Sequence, residues 1–421
     1  MTPGFSEFSK VWARIGLLSF GGPAGQIALI HREVVDQRQW ISEQEFLSAL
    51  NFCMLLPGPE AMQLASYVGW RLHGVRGGLV AGLLFVIPGA VVIVGLSFLY
   101  VLLGTVPLVA SLCWGIKAAV LVIVLEALLR VAKRALKRHS DWAIAAFAFI
   151  ALFAFDVPFP VVIAIAAVIG FMVPDGAGRD NPVLALPPFR QTLVTALTWG
   201  VIWLGPLGLI RLIVGPLHVY FGLSWLFSKL AVVTFGGAYA VLSYMGQDVV
   251  EAHHWLTTAQ MVDGLGLAET TPGPLILVGQ FVGFVAAAQA MGNVWAGIWG
   301  SLIFLWMTFV PCFLWIFAGA PYVVYLQSQP RLASALSRIT AAVAGVILNL
   351  TLWFGLHVLF AGVARLSGPV PMWWPEVSSF DGASLIVTLA AAVALLHFKL
   401  GIPKTLALAA LMGVIWKLVL V

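Results

Sequence analysis

The chain has 421 residues, 61% apolar and only 9% charged, with mean hydropathy +1.02 and a formal net charge of +5. About a quarter of the residues of a soluble globule are charged, so this chain cannot cover a water-facing surface, and its modest basic excess marks membrane-flanking loops rather than a nucleic-acid partner. An outer-membrane barrel is excluded too, because the apolar runs do not alternate.

At the N-terminus, "MTPGFSEFSK" lacks a basic region followed directly by an apolar core. It does not read as a cleavable signal peptide, and the first hydrophobic segment is expected to insert and stay. That segment carries Arg14 and, six residues later, a breaker, Phe20-Gly21-Gly22-Pro23. The polar run His31-Arg32-Glu33 reads as solvated loop. A second breaker, Pro57-Gly58-Pro59, stands directly before Glu60. Apolar runs over 79–103 and 112–129 suffice to span a bilayer, which takes about 20 residues. Within the second run, Glu126 and Arg130 are four apart and can pair along a helix, whereas Lys117 has no partner at helical spacing on its own segment. Short runs at 142–155 and 158–173 predict an out-and-back hairpin around Asp156. A polar linker with Arg179 and Arg190 then precedes one more spanning run, 192–214.

From there the chain repeats itself. Adding 215 places Phe20-Gly21-Gly22 on Phe235-Gly236-Gly237, Arg14 on Lys229, Trp40 on Trp255 and Pro57-Gly58-Pro59 on Pro272-Gly273-Pro274. Farther on the offset is 223, matching Pro88 to Pro311 and "KAAV" to "TAAV". The expected organisation is a first repeat over 1–173, a linker with one extra span over 174–220, and a second repeat over 221–421. Lys and Arg mark cytoplasmic loops, and their distribution reverses between the copies. Repeat 1 has Arg71 and Arg76, then Arg130, Lys133, Arg134, Lys137 and Arg138, with none at 104–111. Repeat 2 has none at 285–293, but carries Arg331 and Arg338 where 104–111 would fall, and Lys399 and Lys404 at its hairpin tip. The predicted fold is an all-α polytopic membrane protein of two inverted-topology repeats with discontinuous helices, a transporter architecture with its site near the midplane.

Gly-Gly frees the backbone and Pro removes an N–H, so such breaks survive at membrane depth only where they are buried in protein or line a wet cavity. A helix restarting after a break points N–H groups and a positive dipole end into that cavity, which suits an anion. The plain alternative is close packing or a kink. Arg14, Lys229 and Lys117 supply intramembrane positive charge of the matching sign, although Arg14 and Lys229 could instead snorkel to the interface. Glu60 and Glu269 stand beside the PGP motifs as candidates for a coupling proton, or as partners of a nearby cation. Cys53, Cys113 and Cys312 lie in apolar context without C-x-x-C spacing and read as packing residues. His253-His254 reads as solvated loop. No Walker motif, metal-ligand set or nucleophile–base set stands out, so no cofactor, metal or enzymatic activity is expected.

Paired FGG and PGP motifs in two homologous halves resemble the chromate ion transporter family in its long, two-domain form. "SFGGP", "LLPGPEAMQLASYVGWRLHG" and "GLAETTPGPLILVGQFVGF" carry the likeness, which covers nearly the whole chain; repeat 2 departs from it with Ala238 where repeat 1 has Pro23. The resemblance implies a multi-pass protein of the bacterial inner membrane that exports chromate and confers chromate resistance, with sulfate as isosteric competitor. The Phe, Gly and Pro residues of the four breaks, with Arg14, Lys117 and Lys229, are the expected anion contacts. An anion channel, a carrier of another oxyanion such as sulfate, and association into a homodimer stay open.

Overall fold

The computed structural model describes residues 3–20, 22–104, 106–174, 189–235, 238–323, 325, 329–366 and 372–420. Gly21, Gly236 and Gly237 of the FGG motifs and Arg179 of the linker therefore lie outside the described residues. The order is α1 (Phe5–Leu18), α2 (Gly22–His31), α3 (Glu43–Cys53), α4 (Glu60–Leu103), α5 (Pro107–Ala135), α6 (His139–Phe155), α7 (Phe159–Met172), α8 (Phe189–Val214), α9 (Val219–Val233), α10 (Ala238–Gln247), α11 (Thr258–Glu269), α12 (Val278–Met291) and α13 (Val294–Gly319). After these come α14 (Pro330–Leu359), an antiparallel hairpin of β1 (Val363–Leu366) and β2 (Met372–Pro375), α15 (Gly382–Ala392) and α16 (Ile402–Ile415). Helices α4, α5, α8, α13 and α14 are long and apolar enough to cross a membrane. The chain is an all-α polytopic membrane protein, and the β-hairpin is a local addition that the sequence pattern did not announce.

Periodicity explains the helices, and local chemistry explains their ends. Ser42 and Glu45 form a reciprocal capping box at the start of α3, and Thr257 and Gln260 form one at the start of α11. These pairs are 215 residues apart, like the motifs. The repeat extends to unusual backbone. α2 and α10 each run on into a π-helical turn, Arg32–Gln37 and Asp248–Ala252. Left-handed φ recurs at Gln39 and His254, and again at Asp156 and Lys399. For the last pair the offset has grown to 243, because the connection between α14 and α15 contains the β-hairpin whereas α5 and α6 are joined by three residues.

Two compact units are present, and each takes segments from both repeats. Unit 1 comprises residues 1–98, 171–238 and 271–334; unit 2 comprises 99–170, 239–270 and 335–421. In unit 1, α4 is a hairpin rather than one rod. His73 (φ −134°, ψ 23°) and Gly74 (φ 63°, ψ −156°) reverse it, so the expected loop between Arg71 and Arg76 is a two-residue turn. Gly69 on one arm lies against the carbonyl of Gly77 on the other, and a Cβ would not fit there. α12 and α13 repeat the device around Gly292, with Gly283 against Gly300. Bilayer lipid is as apolar as Leu, so such small-residue contacts supply the dispersion energy that holds membrane helices together.

In unit 2, contacts cross between the repeats. Gly115 of α5 rests on the Ala409 carbonyl of α16, and Gly345 of α14 on the Ala145 carbonyl of α6. Near the start of α5, the Trp114 indole donates to Asp381, 3.3 Å away. Asp381 caps α15, and its N–H donates to the carbonyl of Leu359, the last residue of α14. At the other end, Arg338 in the early turns of α14 pairs with Asp141 (2.5 Å) just beyond the end of α5. The equivalent helices α5 and α14 thus lie antiparallel.

Candidate functional site

The described parts of the four breaks belong to unit 1 and are paired crosswise. α1 ends at Leu18, and α2 begins at Gly22 in the left-handed region (φ 70°). The Pro57-Gly58-Pro59 and Pro272-Gly273-Pro274 turns hold their glycines at φ 126° and 92°, conformations that L side chains rarely adopt. The Gly58 N–H donates to the carbonyl of Thr234 (2.7 Å), one residue before the second FGG. Reciprocally, the Gly273 N–H donates to the carbonyl of Ser19 (2.9 Å), one residue before the first FGG. Each PGP turn is therefore tied to the residue that precedes the other repeat's FGG. Proline on both sides of each glycine removes the competing donors, leaving one amide per turn to make the tie.

The surroundings of the two turns differ. At Gly273, Ser19 Oγ accepts a second bond from the amide (3.0 Å), and Gln26 Nε2 donates to the Gly273 carbonyl (2.6 Å) and to the Ser19 carbonyl (3.3 Å). Gly89 of α4 packs on the Pro272 carbonyl too closely to admit a Cβ. At Gly58, the Thr234 hydroxyl turns back to Leu230, and Gln63 donates to the Pro57 carbonyl (2.7 Å). Cys312, at the position equivalent to Gly89, takes up the neighbouring space. Gln63 is fully buried, and its Oε1 lacks a hydrogen-bond partner. Both PGP amides are thus occupied in this conformation. Among the described residues, α2 presents an open helix start, where Ala24 and Gly25 are exposed and first-turn N–H groups have no intrahelical acceptor.

The cations expected at the site fare differently. Arg14 is exposed on α1, and Lys229 is half-buried on α9, both in unit 1. Lys117 belongs to unit 2, where its Nζ lies 3.2 Å from Asp263 Oδ1 of α11. The Tyr100 hydroxyl donates to the other oxygen of that carboxylate (2.8 Å). The partner missing from the Lys117 segment is thus supplied by another helix. Glu126 pairs with Arg130 (2.6 Å) on its own helix. Glu269 is buried in unit 2 and accepts from the Tyr239 hydroxyl (2.7 Å). Glu60 opens α4, half-buried. All three cysteines are free thiols, Cys53 and Cys312 fully buried. His253 stacks on Trp255 and is exposed, as is His254. No group of His, Cys, Asp and Glu able to hold a metal occurs among the described residues.

Sequence reasoning missed Ser19, Thr234, Gln26, Gly89, Asp263 and Tyr239. For the first two a signal existed: the residue before each FGG is a hydroxyl amino acid in both copies. Gln26 and Asp263 left none, because their equivalents in the other repeat are Val241 and Ser48.

Comparison with known proteins bears on this arrangement. A family model described as chromate transporter matches residues 6–171 and again 221–414. A chromate transport protein of Pseudomonas aeruginosa is 31% identical over 358 residues, covering 82% of this chain and 78% of the relative. One from Cupriavidus metallidurans is 27% identical over 350 residues, covering 79% and 78%. An uncharacterised transporter of Methanocaldococcus jannaschii is 27% identical over 356 residues, covering 82% and 83%. No solved structure matches.

Proposed function

The chain belongs to the chromate transporter family, and we propose that it is a secondary transporter exporting chromate, or a sulfate-like tetrahedral oxyanion, across the bacterial inner membrane and so conferring chromate resistance. The observation that carries this reading is the crosswise tie between FGG and PGP segments. It ties each PGP turn to the segment before the other repeat's FGG, which supports a site where restarted helices of both repeats offer N–H groups and dipole ends to an anion. Arg14 and Lys229, each six residues before an FGG, add charge of the right sign on both sides of the pseudo-symmetric arrangement. The antiparallel α5 and α14 support oppositely oriented repeats, the geometry that alternating access uses.

A dianion leaving a cell that is negative inside gains about 2.3 kcal/mol per charge per 100 mV. Export then needs no ion gradient, and Glu60 and Glu269 are the candidates to carry a proton if one is coupled. Chromate and sulfate uptake into everted vesicles, with and without an imposed potential, tests the reading. The expected result is saturable chromate uptake, competed by sulfate, showing counterflow, and faster when the vesicle interior is positive. Flux that neither saturates nor shows counterflow would favour an anion channel built on the same broken helices.

A further inference from the structure

Helix α11 carries two buried carboxyls, Asp263 and Glu269, 5% and 7% exposed. Each accepts a bond from a tyrosine hydroxyl, Asp263 from Tyr100 (2.8 Å) and Glu269 from Tyr239 (2.7 Å). Six residues apart, they lie about 120° apart round the helix and about 9 Å apart along it, so they face different neighbours. Asp263 meets a cation, the Lys117 ammonium at 3.2 Å. Glu269 meets none: among the described residues no Lys, Arg or His lies within ion-pair distance of it. The charged groups that face it are Arg130 and Glu126 of α5, and these are paired with each other (2.6 Å). α16 also packs on α11, and its one titratable residue, Lys404, is exposed. α11 lies outside the spanning helices, and burial pushes the Glu269 carboxyl up to about 7, with Glu126 adding to this and the Tyr239 bond and Arg130 opposing it. In repeat 1 the positions equivalent to Asp263, Glu269 and Tyr239 are Ser48, Met54 and Ala24, so the arrangement belongs to repeat 2 alone.

We propose that Glu269 is a proton-binding site that sets how tightly the oxyanion is held: the anion binds while Glu269 is neutral and is weakened when Glu269 ionises. This rests on the oxyanion reading above. The link is Coulombic. Glu269 stands three residues before Pro272, so the chain alone keeps its Cα within about 11 Å of the second PGP turn. A dianion at the breaks and a carboxylate that close repel each other, and a buried pair is little screened by salt. Such coupling is reciprocal: a proton that raises anion affinity is itself held more tightly, by the same factor, once the anion is bound. The environments on α11 assign the roles. Asp263, balanced by Lys117, can keep its charge, whereas Glu269 has a hydroxyl where Asp263 has a cation and is the carboxyl that exchanges its proton with water near neutral pH.

Infrared difference spectra of the full protein in lipid, titrated with pH, read the carboxyl directly. A protonated-carboxyl C=O band should titrate near pH 7 and be missing from Glu269→Gln. Tyr239→Phe removes a donor that favours the carboxylate, so it should move the midpoint up by about half a unit to one unit. Saturating sulfate should raise the midpoint by about one unit, and sulfate affinity measured by isothermal titration should fall about tenfold from pH 6 to pH 8.5. Sulfate is the probe because it stays a dianion over this range, whereas chromate itself takes up a proton. Glu269→Gln should hold the low-pH affinity at both pH values. A carboxyl band that survives Glu269→Gln, or none at any pH, would overturn the proton site. Should that variant not fold, a midpoint left unmoved by Tyr239→Phe would overturn it instead. A band that titrates but ignores sulfate, with sulfate affinity constant across pH, would overturn the link and leave the oxyanion reading in place. Sulfate that binds at no pH would count against the oxyanion reading and remove the link with it, while the band alone still decides the proton site.

Discussion

Unit 1 and unit 2 handle polarity in opposite ways. In unit 1 the polar interior is mostly uncharged: backbone amides and carbonyls of the breaks, the carboxamides of Gln26, Gln63 and Gln280 and the hydroxyls of Ser19 and Thr234, with Glu33, paired to Arg38, as a buried charge. In unit 2 it is charged and paired, Arg338 with Asp141 and Lys117 with Asp263. An isolated charge in a low-dielectric interior is costly, so unit 2 pairs Asp141 and Asp263 with cations, while Glu269 is held by the Tyr239 hydroxyl. A carrier site of the kind proposed must instead release its ligand, and uncharged dipoles suit that better than a fixed countercharge. On the proposed reading, the contrast separates what holds the protein together from what binds the anion.

The sharpest way to break the comparison is to leave one charge of unit 2 alone. Arg338 and Asp141 side chains are 6% and 5% exposed. Asp141 also accepts from the N–H groups of Lys137 and Arg138 at the start of α6. Asp141→Ala should therefore cost about 3–5 kcal/mol and lower the yield of folded protein. Asp141→Asn combined with Arg338→Met keeps the cap and removes both charges, so it should recover most of that loss. Thermal unfolding in detergent measures both, and a double variant as damaged as the single one would show that the charges themselves are needed.

The equivalent intervention in unit 1 should leave folding largely intact and abolish function. Gly58→Leu and Gly273→Leu force a side chain onto φ values of 126° and 92°. Each incurs about 1–2 kcal/mol of backbone strain and displaces the crossing. At Gly58 even a Cβ would come within 2.7 Å of Gln63 Nε2 and 2.9 Å of Cys312 Sγ; at Gly273 the nearest atom is Leu277 Cδ1 at 3.1 Å. Chromate uptake per folded molecule should fall below detection for both Leu variants, and Gly58→Ala should be more harmful than Gly273→Ala. Normal uptake in the Leu variants would reduce these glycines to packing residues.

Much of this was legible in the sequence, and the pattern of what was not is physical. Composition and run length identified the spanning helices, and the offset of 215 exposed the repeat because backbone requirements, glycine at left-handed φ and proline at a break, restrict residue choice. The pairing of Glu126 with Arg130 was visible because both lie on one helix. Lys117 looked unpartnered because its counterion is on α11, 146 residues away in sequence, where no periodicity reaches. Free N–H groups at the PGP turns were expected from the breaks alone. The structure shows them donating to carbonyls of the other repeat, a long-range contact that only folding reveals.

Lys117 sharpens the comparison, since it was expected to touch substrate and yet sits in a charge pair. Lys117→Gln leaves Asp263 beside Tyr100 without its cation and should reduce transport severalfold. Asp263→Asn added to it restores neutrality. If Lys117 serves only to balance Asp263, the double variant should transport nearly as well as the unaltered protein; if it also meets the anion, transport should stay low. Flux and folded fraction measured together separate the two.

The smallest effect lies at the solvated edge of unit 1. His31 Nε2 is 2.6 Å from Glu43 and Nδ1 is 3.3 Å from Asp36. The hydrogen bond to Glu43 is the main cause that raises its pKa above the ordinary value of 6.5, with Asp36 adding to it against a modest burial penalty. A group whose folded pKa is raised contributes stability that is fully present below its unfolded pKa and is lost as pH rises through the folded value. The side chain is 28% exposed and its acids are more than half exposed, so solvent screens the pair and the contribution is at most about 1 kcal/mol. His31→Gln should therefore be slightly less stable than the unaltered protein at pH 5.5, and the difference should shrink toward zero by pH 8.5. Parallel unfolding curves at the two pH values measure it. A difference that grows toward alkaline pH would mean that His31 is held neutral, with its carboxylate neighbours turned elsewhere.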